Sequence, residues 1–234
     1  MSAKDSVDTF PARYLYQVGT YHTLANGQYN SHITLEALLR HGNYGFGTLP
    51  NADGEMVILN GAAWHINTEK EMTPLTLDCT LPYALVGQFF PQRMRSLRQI
   101  NARDTYKKFT RLIPNEAKFS MALIRGTFSY VRVSIQPVIT DRRLHFYSQE
   151  RQHVEYEKRH ITGDMVLLFT PMAYHGLHPT GTMAYFHSER AHIQGKVIDF
   201  KIETATLTMD VFDGVTLMEM RCTPDHSTTS SLAY

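Results

Sequence analysis

The chain is poor in the features that mark a specialised surface. Of its 234 residues only 19% are charged, and 23 basic side chains against 22 acidic ones leave a formal charge of +1. Such a balance gives no reason to expect a nucleic-acid or membrane partner. Cys79 and Cys222 stand far apart in no CxxC pair, which points to a reducing compartment. No apolar run approaches the ~18 residues of a membrane span, and residues 1–11 lack the apolar core of a signal segment. A cytoplasmic protein is expected, long enough for one large domain or two small ones. Repeats and low-complexity tracts are missing too.

What the chain does carry is a succession of short apolar segments. Residues 14–18 alternate as a strand, and Thr34 is placed to cap a short helix over 35–40 that stops at His41-Gly42. Residues 42–47 are dense in glycine but no GK[ST] follows, so they read as a tight turn between strands rather than a phosphate loop. Asp53-Gly54 is a hairpin turn signal, and residues 56–59 form a buried strand. At the mouth of that strand stands Glu55, where a carboxylate costs free energy unless it is paired or functional. The residue pattern alone leaves open a chemical role or a solvated strand end.

Residues 81–91 read as another buried strand. Arg93, Arg95, Arg98, Arg103, Lys107, Lys108 and Arg111 follow, interleaved with Tyr106, Phe109 and Leu112 at helical spacing, so a solvated helix with one buried stripe is expected up to Pro114. Strands over 119–137 come next, then a polar connection over 140–160 with aromatic anchors Phe146, Tyr147 and Tyr156. A buried strand spans 165–171. Residues 181–200 read as a hairpin with Met183, Tyr185 and His187 on one face and Lys196 near it. Past Lys201, the alternation of Ile202, Leu207, Met209, Val211 and Leu217 suggests edge strands. Residues 225–234 read as a frayed end.

That hairpin resembles the metal-binding hairpin of the α-acetolactate decarboxylase family. The family reads Gly-aromatic-His-x-His-Phe, with a third histidine in a later Gly-Gly-His-Val. Here Gly181, Phe186, Gly195, Val197 and Asp199-Phe200 keep the frame, and the three histidine positions hold Met183, Tyr185 and Lys196. Asp53-Gly54-Glu55-Met56 is similar to the family motif whose glutamate lies in the active site, and the glycine-dense segment with Thr48, besides its reading as a turn, resembles the family's Gly-Asp-x-Gly-x-Gly-Thr. Gly126-Thr127-Phe128 matches a second motif, whose active-site arginine position is occupied by Ser134, with Arg132 two residues earlier. The family's later tail glutamate has no clear counterpart.

The resemblance implies an α/β (α+β) fold, with a mixed β-sheet in an N-terminal part (12–115) and a β-barrel-like C-terminal part (116–222) carrying the hairpin. Flexible ends are expected at 1–11 and 223–234, and a homodimer by family analogy. It also implies a zinc site that these residues serve badly: methionine is a weak ligand, lysine binds only when deprotonated, and tyrosine is an uncommon ligand. The expectation is therefore no metal and no cofactor, with a small-molecule carbonyl substrate.

In the leading reading the chain is a metal-independent lyase, cyclase or isomerase acting through an enolate or oxyanion. Glu55, Lys196, Tyr185 and Arg132 would be catalytic, and Met183, His187, Ser134 and Thr127 would contact substrate. One alternative is a non-catalytic binding or regulatory relative with a filled pocket and a Lys196–Glu55 ion pair. The other is a metal-dependent decarboxylase rebuilt from His175, His178, His187 or His192.

Overall fold

The computed structural model describes residues 12–29, 33–140 and 153–218. In chain order its elements begin with β1 (Tyr14–Val18), α1 (Tyr21–Ala25), β2 (Ile33–Thr34), α2 (Leu35–Leu39), β3 (Tyr44–Leu49), β4 (Asp53–Leu59), β5 (Ala62–Ile66) and β6 (Met72–Pro74). Then come β7 (Thr80–Leu81), β8 (Tyr83–Gly87), β9 (Arg93–Asn101), α3 (Ala102–Leu112) and β10 (Phe119–Ile135). The last are β11 (Val154–Thr170), β12 (Gly181–Ser188), β13 (Ile193–Phe212) and β14 (Gly214–Met218). This is a mixed α+β architecture dominated by strands.

Two sheets form the body. The first runs β14-β1-β8-β3-β4-β5-β6, with β14 parallel to β1 and its other neighbours antiparallel. In the second, β10 pairs with both β11 and β13, and β12 bridges β11 to β13. That ring partly closes the sheet, and β9 is added on the outer side of β13. Phe128, Phe186 and Phe200 fill the ring's interior, and α3 covers it with Phe109. A second core joins the sheets, packing Leu15, Phe46, Val57 and Leu85 against Met121, Val166, Tyr185 and Phe212. The candidate site lies along this seam.

The sheets do not divide the chain at residue 115. β9 comes from the earlier half but pairs with β13, and β14 returns from the later half to pair with β1. Across the same join, Arg13 binds the buried Asp210 carboxylate through two nitrogens at 2.8 and 2.6 Å.

Several sequence expectations are met and others are corrected. β1 forms as read, and Thr34 caps α2 by accepting from the Ala37 N–H at 3.3 Å. The glycine-dense segment is not a turn but enters β3 itself. A Cβ on Gly45 would stand 2.0 Å from the Leu85 carbonyl oxygen, so only glycine lets β3 lie against β8 here. Asp53-Gly54 lies inside β4, and the hairpin turn is Asn60-Gly61, with φ of 50° and 81° as a two-residue turn between twisted strands requires.

The basic stretch starts as strand β9, because Leu97 and Ile100 point inward against β13; only its second half is the helix α3. Residues 154–160 belong to β11 rather than to a connection, whereas Phe146 and Tyr147 lie outside the described residues. β13 is central rather than an edge, held between β10 on one side and β12 with β9 on the other.

Candidate active site

β12 and β13 form the hairpin read from the sequence, turning over residues 189–192. Tyr185 stands directly opposite Lys196, and His187 opposite Gln194. On the other side of β13, Ser134 of β10 is the direct partner of Lys196. Cross-strand partners share a face, so Tyr185, Lys196 and Ser134 lie in one row across three strands. Ser134, where the resemblance leads one to expect an arginine, is thus the direct neighbour of Lys196.

The first sheet brings Glu55 to this row. Gly54 has φ of +59°, and a Cβ there would stand 2.0 Å from the Ile66 carbonyl oxygen, so glycine is what allows β4 to enter the seam at this angle. The Glu55 carboxyl is buried and accepts the Gln136 N–H at 3.3 Å. Its backbone carbonyl accepts from the Gln194 side chain at 2.8 Å. That same amide nitrogen donates to the Trp64 carbonyl at 2.9 Å, and Gln194 Oε1 accepts from His187 Nδ1 at 2.7 Å. Gln194 therefore pins the hairpin to β4 and β5.

A cavity of ≈ 60 Å³ opens between the sheets, lined by Glu55, Lys196, Tyr185, Met183, Tyr83 and Gln136 together with Tyr21, Thr48 and His153. Burial lifts the Glu55 carboxyl to about 7, against a smaller opposing pull from the Lys196 ammonium and the Gln136 N–H. Burial also holds the Tyr185 phenol well above its ordinary value, with Glu55 and the Tyr83 and Tyr21 phenols adding to the effect. Among the described residues no ion pair joins Glu55 to Lys196, although each lies within the other's field. A base poised near neutrality, a cation and a protonated phenol thus face one small space.

His178 sits beside this space, buried against Phe46 and Tyr83. Its Nδ1 lies 2.9 Å from the Pro179 carbonyl oxygen, which can only accept, so Nδ1 carries the proton. Burial lowers its pKa to about 4, and Lys196 pushes in the same direction. The imidazole is neutral, and Nε2 is left without a hydrogen-bond partner.

The other residues singled out from the sequence lie elsewhere. Arg132 is exposed while Ser134 is buried, because the β10–β13 pairing slips between Arg132 and Val133 and breaks the simple alternation. Thr127 is seven residues up β10 from Ser134, roughly 23 Å at strand spacing, and faces Thr162. His187 is engaged by Gln194 and packs at 5.2 Å from the Trp64 ring. Tyr83, Gln136 and His153 reach the cavity from three separate segments and carried no sequence signal.

The residues do not fit zinc. The three hairpin positions offer a thioether, a phenol that burial keeps protonated, and an amine. The nearby histidines do not gather to replace them: His178 and His187 are each bound to their own partners, His192 reaches the Lys70 carbonyl, and His175 is exposed. Among the described residues no group of three His, Cys, Asp or Glu side chains could hold a metal ion. No helix among them is long and apolar enough to cross a membrane.

Fold and site together define a two-sheet α+β protein with a small cavity at the seam between its sheets. Residues 15–227 match the family profile described as alpha-acetolactate decarboxylase, and the chain belongs to that family. An alpha-acetolactate decarboxylase of Lactococcus lactis subsp. cremoris is 28% identical over 204 residues, 85% of this chain and 84% of its own length. A Methanosarcina mazei alpha-acetolactate decarboxylase is 27% identical over 212 residues, 90% of this chain and 73% of its own length. Among solved structures, a Staphylococcus aureus protein described as of unknown function and similar to alpha-acetolactate decarboxylase superposes with a TM-score of 0.84 at 30% identity, covering 87% of this chain and 88% of that one.

Proposed function

We propose that the chain is a metal-independent enzyme acting on a small keto- or hydroxy-carbonyl substrate through an enolate or oxyanion intermediate, as a lyase, cyclase or isomerase. The observation that carries this reading is the shared cavity in which Glu55, lifted to about 7, faces Lys196 and Tyr185 without an ion pair closing the space. A carboxylate at that value is well matched to take a proton from the carbon beside a carbonyl near neutral pH. As the C–H electrons move onto the carbonyl oxygen, the Lys196 ammonium and the Tyr185 hydroxyl stabilise the developing oxyanion. Both are fixed in place before reaction, so little reorganisation is needed. The protonated Glu55 then returns the proton to the adjacent carbon or to the oxygen.

The filled-pocket alternative calls for a direct Lys196–Glu55 pair in a closed core, and the open cavity without that pair favours catalysis. The test is solvent exchange. Acetoin, a small hydroxyketone, is incubated in D2O with protein and chelator, and the carbon-bound proton next to the carbonyl is followed by NMR. Exchange should persist in chelator, rise with pH through about 7 as Glu55 ionises, and disappear in Glu55→Gln. Failure to exchange acetoin or any member of a panel of small ketones, or exchange abolished by the chelator, overturns the reading.

A further inference from the structure

We propose that Lys196 acts covalently: its amine condenses with the substrate's ketone carbon, and the resulting iminium ion, rather than a bare ammonium, is the electron sink of the reaction. This rests on the reading above and specifies its chemistry.

The geometry points to it in four ways. Lys196 is half-buried on the cavity wall, and among the described residues no carboxylate holds it in an ion pair. A lysine on a cavity wall with no carboxylate bound to it leaves its nitrogen available to a substrate, whereas arginine is the better choice when only a permanent positive charge is needed. Tyr185, the direct partner of Lys196 on β12, lines the same cavity, so its hydroxyl borders the space where a carbinolamine would form. Finally, Glu55 lines the same cavity and can hold or release a proton at neutral pH, which every stage of imine formation and hydrolysis requires.

The Glu55 carboxylate takes a proton from the Lys196 ammonium, the freed Nζ lone pair attacks the ketone carbon, the carbonyl π electrons pass to oxygen, and the proton that the nitrogen then sheds goes to that oxygen to give the carbinolamine. Glu55, in its acid form, protonates that hydroxyl, and water leaves as the C=N⁺ bond forms. Glu55, now a carboxylate, takes the proton from the adjacent carbon, and the C–H electrons flow into the iminium to give a neutral enamine. Reprotonation at carbon and addition of one water then release the product carbonyl and the free amine. One water is lost and one regained, and no oxidant or reductant is needed.

The experiment uses the full-length protein with acetoin as probe and sodium cyanoborohydride to reduce any iminium to a stable secondary amine, followed by peptide mass spectrometry. The expected result is an adduct on Lys196 more than about tenfold above that on exposed lysines such as Lys201, slower to form in Glu55→Gln. Lys196→Arg, checked for folding by circular dichroism, keeps the charge but cannot form an imine, and should lose the acetoin exchange. No adduct on Lys196, or labelling no greater than that of Lys201, overturns the proposal. Exchange retained in Lys196→Arg without an adduct overturns covalency while leaving the enolate reading standing. Loss of both exchange and adduct in the wild type removes the two together.

Discussion

A carboxyl group that burial lifts to about 7 destabilises the fold that holds it. Unfolded, Glu55 returns to an ordinary value near 4.5. Between those two values the native state keeps a proton that the unfolded chain has released, so stability is fully present below the window and falls as pH rises through it. The whole gap corresponds to about 3 kcal/mol. Glu55→Gln should therefore be close to wild type at pH 4 and more stable than wild type at pH 8 by up to about 3 kcal/mol, read as urea midpoints at the two values. An equal effect at both pH values would show that Glu55 does not titrate in this window.

The row formed by Tyr185, Lys196 and Ser134 makes a second claim about side-chain neighbours. Arginine at 134, as in the family motif, would set a guanidinium beside the Lys196 ammonium. Ser134→Arg alone should destabilise the protein by about 1–3 kcal/mol, and by clearly less in a Lys196→Met background. A double-mutant cycle measures the difference, and a coupling of zero would mean that the two side chains do not meet.

Gln194 shows how the hairpin is held as a unit. Its amide donates to the Glu55 and Trp64 carbonyls and accepts from His187, entirely out of water. Gln194→Ala strands two buried carbonyls and an imidazole N–H, each of which costs about 1–3 kcal/mol when left unpaired. An overall loss of about 2–4 kcal/mol is expected, with weaker acetoin exchange because Glu55 is no longer held against the hairpin. Denaturant unfolding and the exchange assay check both parts.

This bond network explains what could be read in advance. Period-two alternation located β12 and the start of β13, and the Asp-Gly-Glu motif located Glu55, because both signals lie within one segment. From sequence, β9 reads as helix because Tyr106, Phe109 and Leu112 set a helical period that extends back through the arginines. In fact Leu97 and Ile100 are fixed by β13, a partner about a hundred residues away. Gln136, Tyr83 and His153 were not legible for the same reason. Their place at the cavity follows from which strands meet, and no local pattern encodes that.

The two sheets exchange strands across the chain, β9 in one direction and β14 in the other, and Arg13 locks onto Asp210 at the same join. Neither half of the chain carries a finished sheet of its own. Calorimetry should accordingly show a single unfolding transition whose calorimetric and van't Hoff enthalpies agree. Two resolved transitions would show that the halves are separable units.

The late return of β14 has a consequence for synthesis on the ribosome. β1 is made before every other described strand, yet the neighbour that covers its outer edge is not complete until residue 218 has been added. β9 must likewise wait for the second half of β13. Until then the nascent chain exposes unpaired strand edges that have no local partner to close them. Both sheets are completed only once β13 and β14 have been made, by joining strands synthesised far apart in time. The Gln194 bonds that hold β4 and β5 against the hairpin likewise wait for residue 194, so a chain stalled before that point should hold neither a finished sheet nor a site.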